Sequence, residues 1–117
     1  MNNKPLSGLK VLELASVLAG PAVGTFLAEL GAEVIKIENP TTGGDVTRSW
    51  KLTTEDADSD LSGYFASVNY GKQHRFLDLK DADELAEVQQ LARESDIIIA
   101  NFRKGQAERF GLDFEAL

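Results

Sequence analysis

Five cations stand close to places where a strand would meet a loop. Lys72 and Arg75 bracket "KQHR", Arg103 and Lys104 lie in "NFRKG", and Arg109 follows about a helical turn and a half later. Arginine grips phosphate through forked hydrogen bonds and lysine acts as a point charge, so such a set could hold an anionic phosphate ligand. Solvated surface charge is the competing reading, and spacing alone does not choose between them. Asn101 and Phe102 sit beside the second pair. An amide and an aromatic ring next to cations could hold a purine, or equally end a strand and plug a core. Asp45, after Gly43 and Gly44, is an isolated carboxylate in a flexible turn. A nucleophilic role needs a base or an orienting partner, and none can be assigned, so a turn or helix cap is favoured. His74, the single histidine, reads as a surface or satisfied side chain rather than a catalyst.

Composition removes several other chemistries. Twelve basic against 19 acidic residues give a net charge of -7, which repels a phosphate backbone, so nucleic acid is not an expected partner. Without cysteine there is no thiolate nucleophile or disulfide, and one histidine cannot build a histidine-rich metal site. The acidic run "TEDADSD" lacks the ligand spacing of a calcium loop, so no metal is expected. No apolar core follows the basic residue of "MNNKPLSGLK", so a secretory signal is not read. The longest uncharged run, between Glu13 and Glu29, is broken by Gly20 and Pro21 and falls short of the roughly 20 apolar residues of a membrane span. A cytoplasmic location, away from any membrane, is expected.

The elements that must position these residues alternate. "KVLELA" reads as a mostly buried strand, and Pro21 opens a helix whose stripe is Ala22, Val23, Phe26, Leu27 and Leu30, stopping at Gly31. "EVIKIE" follows as a second strand, giving a βαβ unit with parallel strands. Residues 39–61 break the pattern and read as a long, mobile excursion that could serve as a lid. A short helix within "LSGYFASVN" presents Tyr64, Phe65 and Val68, and a third strand spans residues 74–80. Asp81 three residues before Glu84 is a capping-box pattern, opening a helix with Leu85, Val88, Leu91 and Ala92 on one stripe. "DIIIANF" is a fourth strand fit for the middle of a parallel sheet, and "QAERFGL" is a short helix closing at Gly111. The 117 residues therefore predict one α/β domain, a Rossmann-like open, mainly parallel sheet with flanking helices. Ligands of such sheets lie beyond the carboxyl ends of the strands, which directs attention to residues 16–20, 38–45 and 101–105.

The first of those stretches, "LELASVLAGP", lacks the three glycines of a dinucleotide fingerprint, having only Gly20 and then Gly24. Glu38 stands where an acidic residue would hold a ribose, so a dinucleotide oxidoreductase survives only as a minor alternative. Close helix-to-strand packing explains the small residues in either case.

Four ordered stretches, "LSGLKVLELASVLAGPAVGTFLAELGAEVIKIENP", "GGDVTRSW", "NYGKQHRFLDLK" and "NFRKGQAERFGLD", resemble the N-terminal portion of class III CoA-transferases. That group includes formyl-CoA and carnitine CoA-transferases and the related α-methylacyl-CoA racemases. The resemblance runs from Pro5 to the end of the sequence and implies a partial domain of a larger fold, with CoA or acyl-CoA as substrate and no tightly bound cofactor. Val17, Lys72, Asn101, Phe102 and Arg109 match the family's pattern, and Ala19, Gly20 and Pro21 match its "AGP" turn. Arg75 and Arg103 join them, so the basic cluster becomes an expected CoA phosphate site.

Departures are Asn39 after the second strand, Gln73 for an arginine, Lys104 for a proline, and Leu18 where oxalate and formyl transferases carry a glutamine. Leu18 argues against oxalate or formate as substrate. The family's transferases use an aspartate that forms mixed-anhydride and aspartyl-CoA intermediates, and it lies downstream of the matched segment, so no catalytic residue is expected here. Family members form interlocked dimers, which implies a homodimer or a partner chain. The expectation is thus the CoA-binding N-terminal segment of such an enzyme; a non-catalytic CoA or nucleotide module, a split-enzyme subunit and a racemase-like fragment are the alternatives.

Overall fold

The run KVLEL forms β1 (Lys10–Leu14), α1 (Ala19–Glu29) carries the chain back, and EVIKIE forms β2 (Glu33–Glu38) beside it. A crossover of this length makes the pair parallel, with Leu12 level with Ile35 and Glu13 level with Lys36. The chain continues through α2 (Gly63–Ser67), β3 (Gln73–Phe76), α3 (Ala82–Glu94), β4 (Ile97–Ala100) and α4 (Gln106–Arg109). The computed structural model describes residues 4–117. Its single sheet has the order β3-β2-β1-β4, every pairing parallel, which is the half-sheet arrangement of a Rossmann-like α/β fold.

Each face of the sheet buries a different core. On the α3 side, Leu12, Leu14 and Ile37 meet Val88 and Ala92, with Leu77 and Leu112 completing the cluster. Asp81 caps α3 by accepting from the Asp83 and Glu84 N–H groups, the local reason this helix starts where it does. Glu84 turns away from the reciprocal bond of a capping box and instead accepts from the Asp78 N–H at 3.3 Å.

On the α1 side, the apolar cluster is smaller, with Val11, Ala32 and Val34 packed by Leu27, Ala28 and Ile99. The expected stripe on α1 is corrected here. Val23 and Phe26 are 50% and 60% exposed, whereas Pro21, Gly24 and Thr25 are buried. The helix approaches through its small residues because a Cβ on Gly20 would lie 2.4 Å from Ala15 Cβ, and one on Gly24 would lie 2.0 Å from Glu13 Oε1. Bulky side chains are therefore forced outward, and the space beneath α1 is left for charged residues of the sheet.

One further boundary changes. β3 begins at Gln73 and ends at Phe76, so Leu77 and Leu79 follow the strand. Among the described residues β4 pairs with β1 alone. The stretch after β2 is organised: 3-10 turns at Pro40–Thr42 and Val46–Ser49 are capped by the Asn39 and Asp45 side chains. Beyond them the acidic run wraps around Lys51, whose ammonium donates to the Asp56 and Ser59 carbonyls.

Candidate functional site

Two strands buried on both faces each carry an opposite charge at the same level, and burial obliges these charges to pair. Lys36 Nζ lies 2.8 Å from Glu13 Oε2 and 3.0 Å from Asp45 Oδ2, and donates to the Ala15 carbonyl at 2.7 Å. Lys72 approaches Glu13 Oε1 at 2.7 Å and donates to the Pro21 and Val68 carbonyls and to Asn69 Oδ1. The side chains of all four charged residues are at most 1% exposed. Two carboxylates and two ammonium groups thus close a neutral cluster beneath α1. Burial pulls the Lys72 ammonium below its ordinary value although Glu13 pulls the other way.

Asp45 extends that cluster to the β1–α1 turn. Its carboxylate accepts from the Thr47 N–H at 3.0 Å, from the Thr47 hydroxyl at 2.8 Å, and from the Val17 N–H at 3.3 and 3.4 Å. Burial would raise its titration, but the Thr47 N–H and the Lys36 ammonium outweigh that and hold it below the usual range.

A second carboxylate, Glu38 at the end of β2, is equally saturated. Arg48 donates to it through Nε at 2.8 Å and Nη2 at 2.7 Å, the Asp45 N–H donates at 2.8 Å, and His74 Nδ1 lies at 2.9 Å. Burial opposes ionisation, yet the Arg48 fork, His74 and the Asp45 N–H hold Glu38 far below the usual carboxylate range. The same guanidinium stacks 3.9 Å from the Phe65 ring centroid, a favourable cation–π contact. With its oxygens committed to Arg48, His74 and Asp45, Glu38 has no capacity for a ribose hydroxyl, which removes the basis of the dinucleotide alternative.

Above these groups a cleft of about 740 Å³ opens at the carboxyl edge of the sheet. Ser16 enters it from the β1–α1 turn, and Asn39, Thr42, Gly43, Gly44 and Arg48 from the loop after β2. Asp78 and Lys80 come from the loop after β3, and Asn101, Phe102, Arg103, Gln106 and Phe110 from the chain after β4. Asn101 Nδ2 donates to the Ser16 carbonyl at 3.0 Å, joining two of these walls. Phe102 and Phe110 pack with ring centroids 6.0 Å apart and form an apolar floor. Polar donors over such a floor suit a ligand with a flat ring and anionic groups.

The family described as CoA-transferase family III matches residues 6–117 of this sequence. The chain belongs to that family. Succinate–glutarate CoA-transferase of Agrobacterium fabrum is 44% identical over 97% of the chain, and succinyl-CoA:glutarate CoA-transferase of Homo sapiens is 40% identical over 98%. The chain spans 29% and 26% of those two proteins. Among solved structures, a CAIB/BAIF family protein from Brucella suis superposes with a TM-score of 0.86 at 41% identity, covering 98% of this chain and 30% of that one. The chain therefore carries a family III CoA-transferase fold over less than a third of such relatives' length.

Against this family III frame, the sequence-derived residues divide. Asn101, Phe102 and Arg103 line the cleft. Val17 borders it through Ser16 and carries a φ of 74°, the only non-glycine positive φ among the described residues. Ala19 and Gly20 begin α1, which has no side-chain cap, and Gly20 faces Ala15 and Ile99 inside the fold rather than the cleft.

Lys72 has another task than the one read for it: its ammonium is committed to Glu13, two carbonyls and Asn69. Arg75 lies on β3 and pairs with Glu87 of α3, because its level on the strand directs it to the α3 face. Arg109 is exposed on α4 outside the cleft lining, as is Lys104. Lys80, Arg48, Gln106 and Phe110 were not singled out from sequence. Glu13 and Lys36 left a signal there, single opposite charges inside two apolar parallel strands, which predicts a buried pair.

Proposed function

We propose that this chain is the coenzyme-A-binding segment of a class III CoA-transferase, taking CoA or acyl-CoA at the carboxyl edge of its sheet. The carrying observation is the 740 Å³ cleft where the loops after all four strands converge, a size suited to a cofactor-like ligand. In this reading Phe102 and Asn101 face the adenine. Arg103 and Lys80 supply cations to the phosphates, and the Val17–Gly20 turn lies against the pantetheine side, with the free N–H groups of α1 favouring negative charge nearby.

The whole enzyme would move CoA between carboxylic acids through an aspartyl-CoA thioester, the aspartate coming from outside these 117 residues. The names of the relatives, which act on succinate and glutarate, support short dicarboxylic acids as partners. A homodimer or a complex with a partner chain, in the cytoplasm, is the assembly this reading proposes.

Isothermal titration of the 117-residue chain with CoA, with NADH as control, tests this. Saturable CoA binding and no NADH binding are expected. Arg103→Ala is expected to weaken CoA by about 1.5 to 3 kcal/mol, the range for a hydrogen bond to a charged group. NADH binding without CoA binding would refute the reading.

A further inference from the structure

A β-branched residue in the left-handed region is sterically disfavoured and persists only where its surroundings over-determine it. Val17, with φ of 74°, is such a residue, and it sits at the hinge between β1 and α1. Two cleft walls grip that hinge. Asn101 Nδ2 donates to the Ser16 carbonyl, and both oxygens of Asp45 accept from the Val17 N–H.

Asp45 is itself fixed. Its Oδ2 lies 3.0 Å from Lys36 Nζ, its Oδ1 accepts twice from Thr47, and its own N–H donates to Glu38 at 2.8 Å. A cap for the 3-10 turn at Val46–Ser49 requires only the Thr47 bonds. The reach across 28 positions to Val17 exceeds that requirement.

We propose that Asp45 is a positioning residue for the cleft: through the Val17 N–H it holds the β1–α1 turn in its left-handed form, ready for coenzyme A. The inference rests on the CoA reading given above. Asp45 borders the cleft, and its proposed part is to set the fraction of molecules whose turn is already shaped for binding. Lys36, anchored to Glu13, passes the rigidity of the sheet to Asp45, so the turn after β1 and the loop after β2 form one unit.

The test is a double-mutant cycle. Asp45→Asn keeps the size but presents an amide N–H₂ to either Lys36 or Val17, both of which are donors. If the competent fraction falls to about a tenth, CoA affinity measured by titration falls about tenfold. Glycine adopts positive φ without cost, so Val17→Gly should make the turn independent of the latch. Asp45→Asn placed on Val17→Gly is then expected to change affinity by less than about threefold relative to Val17→Gly alone. An equal loss in both backgrounds, with both variants folded, would overturn the proposal, because a purely structural aspartate would not be rescued by its neighbour's backbone freedom.

Hydrogen exchange of the Val17 amide in the ligand-free wild type provides a second readout, independent of whether the variants fold. Protection is expected, and exchange as fast as a free amide would refute the latch. If the wild type binds no CoA, the coenzyme reading fails, and the Val17 amide alone decides whether the latch exists.

Discussion

Replacing Gly24 by alanine sets two physical effects against each other. In a helix interior the change removes backbone entropy from the unfolded chain and gains about 1 kcal/mol. In this fold the new Cβ would lie 2.0 Å from Glu13 Oε1 and 3.2 Å from Lys72 Cε. Glu13 cannot retreat, because Lys36 holds one oxygen at 2.8 Å and Lys72 the other at 2.7 Å.

Overpacking costs about 1 to 3 kcal/mol, and losing a partner of a buried ion pair costs about 3 to 5 kcal/mol. Partial displacement of the carboxylate lies between these, at about 2 to 4 kcal/mol, so after the propensity gain the expected net loss is about 1 to 3 kcal/mol. Urea unfolding followed by circular dichroism reads this directly. With a slope of about 1.5 kcal/mol/M the midpoint should fall by roughly 0.7 to 2 M. A companion Val23→Ala, on the exposed side of the same helix, should stay within about 0.5 kcal/mol of wild type. An unchanged or raised midpoint for Gly24→Ala would refute the claim that Glu13 is clamped against the helix.

Other outcomes follow from the same charge cluster. Lys72→Met should cost about 3 to 5 kcal/mol of stability by leaving Glu13 and Asp45 to share the single buried cation Lys36; a folded variant with wild-type stability and weakened CoA binding would instead restore Lys72 as a phosphate ligand. Glu38 and Asp45 both titrate in the folded protein below their ordinary values of 4.5 and 3.8. The unfolded chain therefore binds more protons in that window, and their stabilisation is full above it and lost as pH falls through it. Urea midpoints taken at stepped pH should be flat near neutrality and decline on acidification below the mid-fours; a midpoint indifferent to acid would contradict the pairing. Arg48→Ala should flatten that decline, since Glu38 then loses its two-point partner.

Much of the fold was legible because its signals are local. β-branched and aliphatic runs around Leu12, Ile35 and Ile98 marked the strands, Asp81 marked the start of α3, and alternation of these elements implied a parallel sheet. The three strand-end stretches read from sequence as ligand-facing all contribute to the cleft, since parallel topology brings such ends to one edge. Asn101, Phe102 and Arg103 line that cleft for the same reason.

Lys72 and Arg75 were misplaced because charge near a loop says nothing about which way a side chain turns. Lys72 turns under α1 to Glu13, and Arg75 turns to Glu87 on the opposite face. The stripe expected on α1 failed for a related reason. Periodicity assumes that the large apolar side faces the core, whereas here Gly20 and Gly24 face it and Phe26 does not.

The amino-acid sequence by itself determined the order of strands and helices, the caps, the absence of cysteine chemistry and the family, because each is written in neighbouring residues or in ordered motifs. Only the tertiary structure decided that Glu13, Lys36, Asp45 and Lys72 neutralise one another, that Glu38 is spent on Arg48 and His74, and that Val17 is held in a left-handed turn. Those facts depend on the register between strands and on contacts across dozens of positions, where burial makes an unpaired charge too costly to leave and so forces distant residues to meet.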